Sequence, residues 1–286
     1  MKDNIQSEAG YLYIANTMKY LKEAQTSSKS LKTHSHFQVC LLTTDALLSS
    51  GQIDGILFDK IIVLPEIEEM RYNSKITGIP LSPFKKTVYL DTDTFICANI
   101  DALFDLLDRF DIACTIDPTN HTSPFIEDKE KIKLINIFPE FHTGLIAYIK
   151  NKRTIELFTK WKIESYKMRT YYDMPSFREA ILNSPEIKFT ILPVEYNFHG
   201  FHSYAIAHNE IKVIHARFGE RRDTLTLIAE GYEKMLQRAK NMNRIQGKRI
   251  YIPYIGFISA SYNLYRLKYK LKKLLGIRLT SKRNTY

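Results

Sequence analysis

Two aspartates one residue apart, Asp91 and Asp93, are the side chains of this sequence best suited to bind a metal ion. They directly follow Thr87-Val-Tyr-Leu90, a run typical of a buried β-strand. Because residues i and i+2 of an extended chain point to the same side, both carboxylates can converge beyond the end of that strand. Two like charges held so close repel unless a cation lies between them, and carboxylate oxygens suit Mg²⁺ or Mn²⁺. The pair therefore predicts a metal site that would hold a nucleotide diphosphate.

The Asp-x-Asp pattern has two simpler interpretations. Average composition yields about one such tripeptide by chance in a chain of this length. An acidic pair after a strand can also begin a helix, and the nearby segment that starts at Asp101 has that character. The context of the motif must decide between these alternatives.

Strand-like and helix-like segments alternate along most of the chain. The strands are predicted at 11–15, 37–42, 60–64, 88–90, 111–116, 141–149, 187–192 and 211–215, and the helices at 18–31, 101–109, 154–168 and 173–182. This alternation indicates βαβ units and a mainly parallel sheet flanked by helices. Such crossovers bring successive strand ends to one edge, where Asn16, Asp45 and Asp91 are expected to meet.

A glycine-rich phosphate loop is missing from the sequence. Neither Gly-x-Gly-x-x-Gly nor Gly-Lys followed by Ser or Thr occurs. A bound diphosphate would therefore have to be neutralised by a metal ion or by basic side chains. This absence favours the metal interpretation of Asp91 and Asp93.

The excess positive charge is confined to the C-terminal end of the chain. The formal net charge is +10, but residues 234–286 hold 14 Lys and Arg and no Asp or Glu, which leaves residues 1–233 at −4. We therefore expect a catalytic domain over 1–233 and a basic, amphipathic extension over 234–286. Its interleaved aromatic and leucine residues suit the surface of an anionic bilayer. Alternatively, the apolar part at 251–262 packs on the domain and only the charges face solvent.

Nucleic acid would attract the same basic residues through its phosphates. The acidic domain at 1–233 and the lack of a nucleic-acid-binding module argue against such a partner.

Three single cysteines, at 40, 97 and 114, predict neither a disulfide framework nor a zinc site and favour a reducing compartment. The polar N-terminus has no signal-peptide pattern, and no run of 18 apolar residues occurs. We expect a cytoplasmic protein, held peripherally at the inner face of a membrane.

An ordered set of segments resembles GT-A-fold glycosyltransferases, most of all the relatives of glycogenin and of the bacterial lipopolysaccharide galactosyltransferases. The set covers roughly residues 10–220. In chain order it comprises Lys75, the strand and Asp-x-Asp motif of residues 82–94, Phe141-His-Thr-Gly144, Asp173-Met-Pro175, Leu192-Pro-Val-Glu-Tyr-Asn197 and Val213-Ile-His215. The resemblance implies a GT-A-like fold with a Rossmann-type sheet.

The resemblance also implies roles for individual residues. Asp91, Asp93 and His215 would bind Mn²⁺ or Mg²⁺, and the imidazole favours manganese. Asp173 and Asp93 would act in catalysis; Asp173 would orient the donor, contact acceptor hydroxyls or serve as a base. The residues expected to contact the nucleotide or the donor are Ala15, Asn16, Thr17, Asp45, Lys75, Asp91, Thr92, Thr143, Gly144 and Arg217. Three of these roles have plainer alternatives, because Asp173 could merely cap its helix and Lys75 and Arg217 could be solvated charges.

The sequence departs from the family pattern at three places. His142 stands where Asn is usual, and Met174 stands where Gln is usual. Met cannot replace the hydrogen bonds of Gln, so recognition of the sugar or of the acceptor is expected to differ. His215 is followed by Ala and Arg217 rather than by Gly.

The sequence thus predicts a metal-dependent transferase that moves a sugar from a nucleotide donor, with UDP favoured, to a glycan or glycolipid. Retention of anomeric configuration is implied by the resemblance. A sugar-nucleotide nucleotidyltransferase and a catalytically inactive glycan-binding or partner-binding scaffold remain the alternatives.

Overall fold

A computed structural model describes residues 7–64, 73–117, 137–168, 172–199, 207, 209–215, 237, 249–252 and 256–259. Its centre is a seven-stranded sheet with the order β3 (Lys60–Val63), β2 (Gln38–Thr43), β1 (Ser7–Ala15), β4 (Phe84–Leu90), β7 (Glu140–Ile149), β6 (Ile112–Asp117) and β8 (Phe189–Ile191). Six strands run in one direction, and β7 alone is antiparallel to its neighbours β4 and β6. The predicted mainly parallel α/β sheet is confirmed.

The N-terminal part supplies one side of the sheet through alternating strands and helices. Its elements are β1 (Ser7–Ala15), α1 (Met18–Lys32), β2 (Gln38–Thr43), α2 (Asp45–Ser49), β3 (Lys60–Val63), α3 (Asn73–Gly78) and β4 (Phe84–Leu90). Helix α1 begins where the Thr17 hydroxyl accepts a hydrogen bond from the Tyr20 amide, which satisfies one of the free amides of the first turn.

The second part completes the sheet and adds two short ribbons. Its elements are β5 (Thr94–Ile96), α4 (Ala102–Leu106), β6 (Ile112–Asp117), β7 (Glu140–Ile149), α5 (Lys152–Met168), α6 (Met174–Leu182), β8 (Phe189–Ile191), β9 (Val213–His215), β10 (Arg249–Ile252) and β11 (Gly256–Ser259). β5 pairs with β9, and β10 pairs with β11, both antiparallel. A strand rather than a helix follows Asp93, so the helix-start interpretation of the acidic pair is wrong.

Alternating side chains of the central strands divide the core into two layers. Tyr11, Tyr13 and Val88 pack beneath α1 and α4 on one face. Leu12 and Tyr89 pack on the other face, together with Trp161 of α5 and Phe177 of α6. Because each central strand is covered on both faces, it is apolar at nearly every position. This burial makes the ends of β1 and β4 rigid supports for the polar residues that follow them.

Most of the basic C-terminal extension lies outside the described residues. The β10–β11 pair is its described part, so neither membrane attachment nor the division at residue 233 is tested. Within the described parts of the chain, no helix is both long and apolar enough to span a bilayer.

Candidate metal and nucleotide site

A cavity of about 320 Å³ opens at the carboxyl ends of the parallel strands. Open α/β sheets bind ligands at this edge, because loops from successive strands meet there. Eight of the predicted site residues line the cavity, namely Asn16, Lys75, Asp91, Thr92, Asp93, Thr143, Asp173 and His215. The fold therefore brings together residues that are up to 200 positions apart.

Asp91 is anchored on one side and open on the other. Its backbone N–H donates to the Gly144 carbonyl (2.8 Å), which ties the residue to β7. Its Oδ1 accepts from the Tyr89 hydroxyl (2.6 Å) and pairs with the Lys75 ammonium (2.9 Å). Burial, and then the charge of Asp91, raise the pKa of Tyr89 well above its usual value, so the phenol keeps the proton that it donates. Oδ2 is left to face His215, 3.9 Å from Nε2.

His215 reaches the two aspartates because β9 pairs with β5. Thr94 lies opposite His215 in this ribbon, which places the imidazole beside Asp93, with 2.9 Å between Nε2 and Oδ1. The other ring nitrogen, Nδ1, lies 2.9 Å from Asn197 Oδ1. The Asn197 amide nitrogen donates to Thr115, so its oxygen is the acceptor and His215 carries a proton on Nδ1.

With Nδ1 donating to Asn197, Nε2 is the ring atom that faces Asp91 and Asp93, and in the neutral ring its lone pair can bind a cation held by their oxygens. One ligand atom from each of the three residues lies within 4.8 Å of the others. Acceptor atoms that face one another are stabilised by a cation bound between them. A histidine that binds a metal normally donates its other ring N–H to a neighbouring acceptor, as His215 does to Asn197. The donor set of two carboxylates and one imidazole fits Mn²⁺ better than Mg²⁺.

Gly144 is needed because His215 lies directly against its α-carbon. A β-carbon at this position would be 2.6 Å from His215 Nδ1 and 2.9 Å from His142 Cε1, well inside van der Waals contact. The glycine of the Phe-His-Thr-Gly segment thus allows two imidazoles to approach the backbone of β7.

Lys75 links the metal-site carboxylates to Asp173. Its ammonium lies 2.9 Å from Asp91 Oδ1, 2.9 Å from Asp173 Oδ2 and 3.0 Å from the Thr143 hydroxyl. Burial alone would lower the pKa of Lys75, but the charges of Asp173 and Asp91 outweigh burial and raise it above its usual value. Lys75 is therefore a largely buried, ion-paired cation, with its side chain 12% exposed, and not a solvated surface charge.

Asp173 precedes α6 but makes no side-chain capping hydrogen bond there. Its Oδ2 instead accepts from the Thr143 hydroxyl (2.9 Å) as well as from Lys75. The capping alternative for this residue is therefore wrong, and its carboxylate belongs to the cavity. Met174, at the position where the family has Gln, also lines the cavity.

A second cluster, Asp117, His142 and His199, lies beside the first, with the ring centroids of His142 and His215 4.9 Å apart. Its ligand-type atoms also fall within 4.8 Å of one another. The hydrogen bonding differs, because His142 Nδ1 accepts from the Gly144 N–H (3.0 Å). Neutral His142 must then carry its proton on Nε2, which lies 3.9 Å from Asp117 Oδ2 and has no lone pair to offer a metal.

The remaining predicted residues do not line the cavity or cannot be placed. Ala15 is buried at the end of β1, Thr17 caps α1, and Asp45 is exposed at the first position of α2. Gly144 contributes through its backbone. Arg217 lies outside the described residues, so its role stays a prediction.

Several residues at the site were missed by the sequence patterns. The cavity is also lined by Lys19, Tyr20, Glu23, Tyr89, Asp117, Tyr172 and His199, while Asn197 orients His215 from behind. Asp117 could have been predicted, because it directly follows a predicted strand, as Asp91 does. Neither residue spacing nor a family motif identified Glu23 or His199 as a site residue.

No protein-family profile matches the sequence, and no curated protein matches it. Solved structures do match its fold. The galactosyltransferase LgtC, solved with donor and acceptor sugar analogues, has 15% identity and a TM-score of 0.54, over 81% of this chain and 95% of LgtC. The glycosyltransferase GlyE of Streptococcus pneumoniae TIGR4 has 16% identity and a TM-score of 0.52, over 80% of this chain.

The bifunctional glycosyltransferase WbbM has 15% identity and a TM-score of 0.53, over 85% of this chain. The chain spans only 65% of GlyE and 53% of WbbM. At such low identity the likeness concerns the fold, and it confirms the resemblance carried by the motifs: the chain has the GT-A glycosyltransferase fold.

Proposed function

We propose that this protein is a metal-dependent glycosyltransferase that uses a nucleotide-diphosphate sugar. The observation that carries the proposal is the meeting of Asp91, Asp93 and His215, with Asn197 holding the histidine in the ligand tautomer. The GT-A fold supports the same reaction class, because glycosyltransferases share it.

The charge of the cavity supports dependence on a metal. Its lining includes five carboxylates and two lysines. A diphosphate would be repelled by this surplus of negative charge unless a divalent cation entered with it. Bound Mn²⁺, or Mg²⁺ in its place, would neutralise the charge that develops on the departing nucleoside diphosphate.

The chain's own residues would bind and orient the two substrates. In the transfer, the bond between the sugar C1 and the diphosphate oxygen breaks, an acceptor hydroxyl oxygen bonds to C1, and the proton of that hydroxyl passes to the departing diphosphate. Asp173 Oδ2 already accepts from Lys75 and Thr143, which fixes its carboxylate as a hydrogen-bond acceptor. We therefore assign Asp173 to orienting the sugar, with Lys75 close enough to Asp91 to help balance the diphosphate charge.

The finer parts of the proposal rest on the motif resemblance and on composition. They are a UDP-sugar donor, a glycan or glycolipid acceptor, and transfer with retention. They also include a catalytic domain over 1–233 whose basic extension, 234–286, holds it at the cytoplasmic face of an anionic membrane. Analysis of the product's anomeric configuration by NMR tests retention directly.

Thermal shift with a panel of nucleotide sugars in Mn²⁺, Mg²⁺ or EDTA tests the proposal. A ligand that binds the folded state raises the melting temperature by mass action. We expect a metal-dependent increase with one or two donors, its loss in Asp93→Ala, and its retention in Asp105→Ala, a control on the exposed side of α4. A folded protein that responds to no donor in any metal would favour the inactive scaffold.

A further inference from the structure

Helix α1 contacts the segment that follows β4 through three buried hydrogen bonds, which we call the α1 ladder. Its positions are spaced by four and three residues on the helix, which places them on one face of α1. They meet residues 92, 94 and 96, which run from the turn after Asp91 into β5. The three bonds join Thr92 Oγ1 to Glu23 Oε2 (2.8 Å), Ser27 Oγ to Thr94 Oγ1 (2.9 Å) and Ile96 N to Ser30 Oγ (2.9 Å).

The middle bond belongs to a chain of hydroxyls that ends on the backbone of Asp91. Thr94 Oγ1 donates to the Asp91 carbonyl (2.8 Å), and a hydroxyl has only one proton to donate. Ser27 must therefore donate to Thr94, and the Tyr13 hydroxyl, 2.8 Å away, donates to Ser27. Hydrogen bonds aligned in this way strengthen one another in a buried setting.

The ladder lies where it can position every ligand of the metal site. Thr92 and Thr94 flank Asp93, and Thr94 also pairs with His215 across the β5–β9 ribbon. The same helix carries Lys19 and Tyr20, which also line the cavity. Movement of α1 would therefore displace Asp91, Asp93 and His215 together with this part of the cavity lining.

The polar character of this contact needs an explanation, because apolar packing would hold a helix to a strand equally well. Glu23, Ser27, Ser30 and Thr94 are all at most 2% exposed. Burial of polar groups, above all of a carboxylate, costs free energy unless each is hydrogen-bonded. Hydrogen bonds are strongly directional, so the ladder fixes one register of α1 against the metal-binding turn, which apolar contacts do not.

We propose that Glu23 and Ser27 are positioning residues that set metal affinity and couple it to nucleotide binding through α1. The inference rests on the proposed function, since it concerns the same metal site. Residues that orient metal ligands from behind typically contribute ten- to 100-fold in affinity. Loss of one bond of the ladder is thus expected to weaken Mn²⁺ binding about tenfold.

Ser27 and Ser28 offer a matched pair for the test. Both are fully buried on α1, but Ser28 donates to the Leu57 carbonyl (2.7 Å), away from the metal ligands. Mn²⁺ affinity is measured by calorimetry on the full chain, with and without UDP. We expect Ser27→Ala to weaken Mn²⁺ binding about tenfold and to reduce the enhancement by UDP, and Ser28→Ala to change neither.

Hydrogen exchange supplies a readout that needs no metal. Amides of β5 and β9 should exchange faster in Ser27→Ala than in Ser28→Ala. Thr94→Val should behave like Ser27→Ala, and Thr94→Ser, which keeps the hydroxyl, should behave like the wild type. If the wild type binds Mn²⁺ but Ser27→Ala matches Ser28→Ala, the ladder proposal fails while the proposed function stands. A wild type that binds no Mn²⁺ overturns both.

Discussion

Two clusters of carboxylate and imidazole lie side by side in one cavity, yet their hydrogen bonds give the histidines opposite character. In the first cluster, Asn197 accepts from His215 Nδ1, which leaves Nε2, 2.9 Å from Asp93 Oδ1, as the ring atom that can bind a cation. In the second, Gly144 donates to His142 Nδ1, and Nε2 of the neutral ring carries the proton. Similar residues at similar distances are therefore suited to a cation in one case and to donating a hydrogen bond in the other.

The comparison shows that the identity and spacing of ligands are not enough to define a metal site. The partner behind each ring selects the tautomer, and the tautomer decides whether a lone pair or a proton faces the cavity. By this criterion the second cluster is suited to a substrate hydroxyl, which can accept from His142 and donate to Asp117.

Gly144→Ala should have the largest effect, because the new β-carbon would meet both imidazoles. It would lie 2.6 Å from His215 Nδ1, so the imidazole of His215 would have to move. We expect Mn²⁺ affinity to fall by roughly 100-fold, with a loss of about 1–3 kcal/mol in the free energy of unfolding from overpacking. Calorimetry and thermal denaturation measure the two effects. Gly55→Ala is the control, since no atom lies within 4 Å of its added β-carbon; equal behaviour of both variants would contradict the close approach.

Asn197→Leu should weaken the first cluster without touching a ligand. The change removes the acceptor of His215 Nδ1–H, so the ring loses the group that fixes its tautomer and orientation. A loss of about ten- to 100-fold in Mn²⁺ affinity is expected. Asn99→Leu, which removes hydrogen bonds to Asp101 and to the His34 carbonyl, serves as the control. Unchanged Mn²⁺ affinity in Asn197→Leu would remove the basis for the tautomer assignment.

His142→Asn should have the smallest effect on metal binding. An Asn side chain can still accept from the amide two residues on, and the second cluster contributes no ligand. Mn²⁺ affinity should stay within about twofold of the wild type, because the substitution removes no proposed ligand and keeps the acceptor for the Gly144 amide. The KM for donor or acceptor should change instead. Calorimetry would contradict this view if the wild type bound two Mn²⁺ ions and the variant only one.

The sequence alone predicted the layout of the fold well. Continuous apolar runs identified β1, β2, β4 and β7, because strands covered on both faces are apolar throughout. The boundaries were less accurate: the helix expected at 101–109 is the short α4, Ala102–Leu106. The ends of a helix depend on the hydrogen bonds of its first and last turns, which a short sequence pattern does not predict.

The candidate site was predicted in part. Asp91 and Asp93 were found because both lie in one short segment directly after a predicted strand. The structure brings them together through a turn at residues 92 and 93 rather than through the strand alternation that was expected. The prediction that His215 lies at the same site depended on the family resemblance, because 122 residues separate it from Asp93. Glu23 gave no signal, because a Glu on a helix is usually a solvated surface residue.

What the sequence determined by itself was local: the strands, the acidic pair that follows one of them, and the absence of a glycine-rich phosphate loop. Only the tertiary structure decided which distant groups meet the pair and in which chemical form. It paired Lys75 with two carboxylates, attached α1 to the turn that follows Asp91, and gave His215 and His142 different hydrogen-bond partners at Nδ1. The physical reason is that local structure follows from neighbouring residues, whereas charge pairing and proton placement depend on groups that only the fold brings into contact.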